Sequence, residues 1–311
     1  MKRTVQELAN ETDTASLGMT TVQGSEWLDS ILATAKQKMY FEQFASVFTV
    51  PKGNKDLSAP IATSHLTFTS ISTEATARTF TEVTNVTTVT FTPVTAKYGA
   101  RISKDVLRTT RVDILKWARE EMAYSVAVQV DQAIVTAIDA EASPAATLYG
   151  GDADSTGTLE SGDILTTDLV AKAQRYLKAN GWVSEKDKPF VLVIPAVCEE
   201  AFLKDSQFVN ASEYGGDEVV MNGEIGKYLG CKVVVSEQCT SASNWGGGSL
   251  AGHKCYLFKS KVAYGIAYGE KATLDSEYRK NEAAWDIYLD IAYQADTLQG
   301  GALVIINVSD A

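Results

Sequence analysis

An α+β fold is predicted by three features of this 311-residue sequence. Residues 112–142 carry helical periodicity without a glycine or proline. From Tyr264 onward the chain reads as strand, and residues 50–100 are dense in threonine with period-2 alternation but modest apolar content.

The elements follow in order. The first two dozen residues are small and polar and read as an arm. Ser25 can cap a helix in which Trp27, Leu28, Ile31, Leu32, Ala35, Met39 and Tyr40 recur at helical spacing, running to about Ala45 and broken before Pro51. The turn-rich VPKGNKDLSAP opens a long two-stranded ribbon, with alternation at Leu66, Phe68 and Ser70 and again at Val89, Phe91 and Pro93. Such a ribbon is barely stable alone in water. No second sheet is evident to cover it, so a neighbouring subunit is expected to. Ile114, Trp117, Ala118, Met122, Val126, Ala133, Ile134, Ala137 and Ile138 then predict a helix over 112–142, roughly 45 Å long at 1.5 Å per residue. It sustains no a/d heptad with flanking charges, so it is a spine for other pieces rather than a coiled coil.

Residues 148–162 form a Gly/Asp/Ser/Thr-rich loop, followed by a helix over 167–179 ended by Asn180-Gly181. FVLVIP is a buried strand and AVCEEAFLKDSQF a short helix. Residues 219–230 are loop and turn, 233–236 and 255–258 are strands, and NWGGGSLAG at 244–252 is a loop tip. AYGIAYG, TLDSEYRK, AWDIYLDIAYQADT and ALVIINV complete the strands.

Composition narrows the function. Apolar residues make up 45% and charged residues 22%, an ordinary globular balance. A formal charge of −11 repels nucleic acid and anionic membrane at long range, so contact with DNA has to be local or physically enforced. No apolar run reaches the roughly 18 residues that span a bilayer, and the N-terminus lacks the apolar run of a signal peptide. The four cysteines have no paired spacing, which suits folding in a reducing, cytoplasmic place.

Motifs for chemistry fail one after another. In GEIGKYLGCKVVVSE, Met221 and Tyr228 stand where a phosphate-binding Walker loop needs a glycine and a hydroxyl, and the glycines precede a strand rather than open a helix. Ser249 has Gly247 before it but Ala251 after it, so no nucleophile elbow forms. Cys231, Cys239, His253 and Cys255 are four good ligands near in sequence, but they lack the tight knuckles of structural zinc, and buried cysteine is the competing reading. Glu120-Glu121 and Glu199-Glu200 diverge on their helices. No catalytic, cofactor-binding or metal-binding residue is expected. A metal- or nucleotide-dependent enzyme is the alternative from another class, through the cysteine set or the glycine loop.

The helix WLDSILATAKQKMYFEQFA, the ribbon, TPVTAKYGARISKDVLRTTRVDILKWAREEMAYSVAVQVDQAI, FVLVIPAVCEEAFLKDSQF and GEIGKYLGCKVVVSE follow one another over nearly the whole chain. Their order resembles the major capsid proteins of tailed double-stranded-DNA viruses, the Hong Kong phage fold shared with encapsulins and herpesvirus shells. The resemblance implies an N-terminal arm and helix at 1–50 and an extended β-hairpin loop at 51–100. It implies a peripheral domain at 101–161 and 270–311 built on the spine helix, and an axial domain with a central mixed sheet at 162–269. It further implies a structural subunit that self-assembles into hexamers and pentamers of an icosahedral virion shell, assembled in the host cytoplasm. The shell would enclose packaged double-stranded DNA without sequence-specific binding and without membrane. Expected partners are other copies of the chain, a portal protein and, because the arm helix starts within two dozen residues of Met1 in a chain not already processed, a separate scaffolding protein.

Trp27, Ile31, Leu66, Phe68, Val89, Phe91 and Lys227 are the expected inter-subunit residues. Lys52 and Lys55 flank Asn54, but nothing singles out a partner for a covalent cross-link. Gly226 and Gly230 are expected to permit positive-φ turns that end one helical turn at 225–229. An encapsulin nanocompartment shell, sharing the fold, is the alternative reading; the arm and the long threonine-rich ribbon favour a virus.

Overall fold

The computed structural model describes residues 40–64, 82, 84–109, 113–204, 227–246, 248 and 250–310. In chain order these form α1 (Phe41–Phe44), β1 (Ser46–Thr49), β2 (Leu57–Ala62), β3 (Val86–Phe91), β4 (Val94–Ser103), α2 (Lys104–Thr109) and α3 (Ile114–Asp139). There follow β5 (Ala146–Tyr149), α4 (Thr167–Ala179), β6 (Phe190–Ile194), α5 (Ala196–Lys204), β7 (Lys227–Tyr228), β8 (Cys231–Val235) and β9 (Ser241–Trp245). The chain closes with β10 (Leu250–Lys259), β11 (Tyr264–Arg279), β12 (Ala284–Thr297) and β13 (Leu303–Ser309). Of the predicted N-terminal helix only α1 lies among the described residues.

The predicted spine is α3, 26 residues and therefore about 39 Å long. Asp113 caps it, its carboxylate accepting from the Lys116 amide at 3.0 Å. Ile114, Ala118, Val126, Val130, Ile134 and Ile138 recur at steps of four or eight residues along its buried face. Helix α4 spans the predicted 167–179, because Thr166 accepts from the Leu169 amide at its start and Gly181, at φ +82°, turns the chain away at its end.

Two sheets flank the spine. The smaller has the order β1-β11-β12-β4, with β1 parallel to β11 and the other pairs antiparallel. The larger, mixed sheet runs β5-β13-β10-β6-β8-β7, and β9 pairs with β10. On β13, Leu303 and Ile305 face the spine, whereas Val304, Ile306 and Val308 face α4, so this strand is apolar on both sides. The spine-side cluster takes in Val130, Ile134 and Ile138 of α3, Tyr256 and Phe258 of β10, Ile266 of β11 and Ile291 of β12. One core therefore serves both sheets.

The structure corrects several boundaries. Strand β5 occupies the start of the expected loop at 148–162, completing the sheet edge by pairing Ala146 with Val304. The expected loop tip at 244–252 is mostly strand, since β9 runs into Trp245 and β10 starts at Leu250. Leu303–Ser309 pairs with β10 and β5 in the larger sheet, while Tyr264–Tyr268 pairs with β1 and β12 in the smaller one. The helical turn expected at 225–229 is instead, over its described residues, the β7–β8 hairpin. Its two turn residues, Leu229 (φ 48°) and Gly230 (φ 78°), both take positive φ, as a type I′ turn requires.

Gly252 lies on β10 at the register shift in its antiparallel pairing with β9. A Cβ there would lie 2.3 Å from Trp245 Cε3 and 2.7 Å from the Val308 carbonyl oxygen. Gly252→Ala is expected to destabilise the chain by about 1–3 kcal/mol, read as a lowered midpoint of urea unfolding with an unchanged slope.

Candidate functional site

Among the described residues, the ribbon β2–β3 forms a two-stranded sheet of its own and so offers two strand edges to another molecule. It pairs antiparallel from Leu57↔Phe91 to Ala62↔Val86 and belongs to neither large sheet. Its outward stretch is polar and open: Val86 is 52% exposed, and Ser58 and Thr90 hydroxyls meet across the strands at 3.2 Å. Pro60 is tolerated within β2 because both strands of a two-stranded ribbon are edges.

The root is different. Phe91 is fully buried with Val50 and Ala267, and Phe48, Leu57, Ala59, Val89 and Leu298 pack around them. The Phe48 and Phe91 ring centroids lie 5.6 Å apart. At this root the Thr92 amide also donates to the Gln294 side chain, and at the other end of the pairing, opposite Val86, the Ala62 carbonyl accepts from Gln299 Nε2 at 2.9 Å. The ribbon is thus fastened at its base by its own chain. Of the expected inter-subunit residues, Phe91 has its ring enclosed within its own chain and Val89 packs against the same cluster. Trp27, Ile31, Leu66 and Phe68 lie outside the described residues. The backbone of Lys227 falls in β7, opposite Lys232.

Two charged positions went unnoticed in the sequence. Asp131 interrupts the buried face of α3, and Asp286 is buried on β12. Asp286 holds Arg101 by two bonds, Nε to Oδ1 at 2.7 Å and Nη2 to Oδ2 at 2.9 Å. Arg279 Nε reaches Oδ2 at 2.6 Å, and the Tyr288 hydroxyl donates to the same oxygen at 2.9 Å. Arg101 also pairs with Glu282 at 2.9 Å. This network ties β4, β12 and β11 together beside the turn that joins the last two. Hydrogen bonding from Arg101, before any other cause, holds the Asp286 carboxyl below the usual carboxylate range, against the opposing effect of burial. The only sequence signal for either residue is an acidic side chain flanked by apolar ones at core spacing.

Within the cysteine set, Cys231 and His253 bond to different groups. Cys231 accepts a hydrogen bond from Gln174 Nε2 at 3.4 Å, whereas His253 Nδ1 lies 2.5 Å from Asp310 Oδ1. Among the described residues no group of three or more His, Cys, Asp or Glu side chains is placed to hold a metal ion. All four thiols are buried. Burial pushes the Cys231 thiol up to about 11 and those of Cys239 and Cys255 well above their ordinary value. Because the thiolate is the reactive form, a thiol reagent at pH 8 is expected to leave all four unlabelled in the folded chain and to label four in denaturant. Fast labelling of any one before unfolding would contradict this burial.

Comparison with known proteins identifies the class. The family model described as phage capsid protein matches residues 35–310. The chain therefore belongs to the phage capsid protein family, and it is a structural subunit of a phage capsid. Among solved structures, the chain is similar to the capsid of Ralstonia phage GP4, with a TM-score of 0.71 and 13% identity over 93% of this chain and 95% of that one. It is likewise similar to the capsid of cyanophage Pam1, at a TM-score of 0.73 and 12% identity over 94% and 98%. The capsid of the native GTA particle gives a TM-score of 0.59 and 12% identity over 96% and 99%. At these identities the likeness speaks for the fold, the Hong Kong phage-type capsid fold. No curated protein matches by sequence. The family and these structures are phage and GTA capsids, so the encapsulin reading is not favoured.

Proposed function

We propose that copies of this chain close into an icosahedral shell of hexamers and pentamers, in which ribbons and N-terminal segments lap over adjacent copies. The single observation that carries this reading is the ribbon, fastened at its root yet exposed along its length. As a two-stranded sheet both its strands are edges, along which another copy can add backbone pairing. A formal charge of −11 supports a shell that encloses double-stranded DNA by containment rather than by neutralising phosphates. A separate scaffolding protein and a portal protein complete the proposed partners, on the resemblance of the chain to tailed-phage capsid proteins, with assembly in the host cytoplasm. Among the described residues no helix is long and apolar enough to cross a membrane.

Electron microscopy of the expressed chain, alone and with its scaffolding protein, tests the proposal. Rings, tubes or closed shells are expected. A species that stays monomeric under both conditions would overturn it.

A further inference from the structure

Asp131 is fully buried on α3, beside Val130, Ile134 and Val135. Isolated in such surroundings a carboxylate is costly, and here its surroundings supply amides. Its Oδ2 accepts from the Tyr40 amide at 2.9 Å and the Phe41 amide at 3.4 Å, and its Oδ1 accepts from the Glu42 amide at 3.1 Å. Three successive amides from a segment about ninety residues distant thus converge on one side chain. Two tyrosines from β11 complete the clamp: the Tyr264 hydroxyl donates to the Phe41 carbonyl at 2.9 Å, and the Tyr268 hydroxyl donates to Glu42 Oε1 at 2.6 Å. The segment is held further on as well, since the Lys261 amide donates to Phe44 O at 2.7 Å and Ser46 Oγ donates back to Lys261 O at 2.9 Å. Packing alone would be served here by another Val or Ile. A side chain with two acceptor oxygens does something packing does not, because hydrogen bonds fix orientation as well as position.

We propose that Asp131 is a positioning residue: it fixes the direction in which the chain before Tyr40 leaves the fold and, in a shell, the neighbour that this segment reaches. The first half stands on the single chain. The second half rests on the shell reading above.

Amide hydrogen exchange on the unassembled chain tests the first half without requiring assembly. In the native protein the amides of Tyr40, Phe41 and Glu42 are expected to be protected to the level of β1. In Asp131→Asn, which keeps the shape but turns a donor towards those amides, their exchange is expected to rise by about tenfold or more. Amides in the body of α3 and in β11 stay within about twofold of the native values. A uniform rise across α1, α3 and β11 would make Asp131 an ordinary core residue and overturn the proposal, as would unprotected amides at 40–42 in the native protein. If Asp131→Asn does not fold, Tyr268→Phe is read in the same way, with a smaller rise confined to 40–42 expected and none overturning it. Electron microscopy of Asp131→Asn then tests the second half. Open or aberrant particles are expected, and native shells formed at native yield would overturn it. Failure of the native chain to assemble at all would instead strike the shell reading and leave the exchange result standing.

Discussion

Phe91→Ala is expected to destabilise the unassembled chain by about 3–5 kcal/mol, the range for truncating a buried phenylalanine. The ring is wholly enclosed by residues of four separate stretches: Phe48 and Val50, Leu57 and Ala59, Ala267, and Leu298. Removing it opens a cavity at the junction where the ribbon meets the smaller sheet. Chemical denaturation of the monomeric species is the direct measurement. Phe91→Leu, which keeps most of the volume, is expected to cost less than about 2 kcal/mol. The comparison separates two roles that assembly assays confuse. A residue whose partner is a neighbouring copy would leave the unfolding midpoint of the isolated chain unchanged and impair only particle formation; an unchanged midpoint for Phe91→Ala would overturn the intrachain assignment.

The second large effect is expected at Asp286. Its native carboxyl is held below its ordinary value, so in the unfolded chain it binds protons at higher pH than in the native one. The stabilisation it contributes is therefore fully present above the ordinary carboxylate value of about 3.9. It is lost as pH falls through the lower native value. Asp286→Asn is expected to flatten the acid limb of the stability profile below about pH 4. It should also cost about 2–3 kcal/mol at neutral pH, less than the roughly 3–5 kcal/mol of a fully buried pair, because water reaches part of Arg101 and Glu282 still faces it. Urea unfolding across a pH series reads both numbers. An acid limb as steep as in the native protein would remove Asp286 from the account.

Much of the architecture was legible because local rules and the tertiary fold agree. The spine shows in sequence because thirty residues pass without a breaker, and α4 because Thr166 and Gly181 mark its ends. FVLVIP has no polar position because β6 is buried on both faces. What was misread depends on contacts far away in the chain. Ala146–Tyr149 is a strand only because Val304–Asn307 is there to pair with it. Leu303–Ser309 is as apolar as any strand, and nothing local says which sheet it joins. At the ribbon, the period-2 pattern says that Phe91 is covered but not by what, and the covering residues come from four distant stretches. Asp131 and Asp286 were invisible for a related reason, since an acidic residue is usually solvated and only its distant partners make it otherwise.

The late position of β10 and β13 bears on how the molecule is made. Strand β5 has to wait for β13 through roughly half the chain, and β6 has to wait for β10. During synthesis the β6 edge cannot pair with β10 before residue 259 has emerged, nor β5 with β13 before residue 309, so pairing is dominated by contacts distant in sequence, the slow and aggregation-exposed regime of folding. A chain cut short before β13 lacks the strand that β10 and β5 both pair with, so the larger sheet is left with two open edges in place of one continuous ladder.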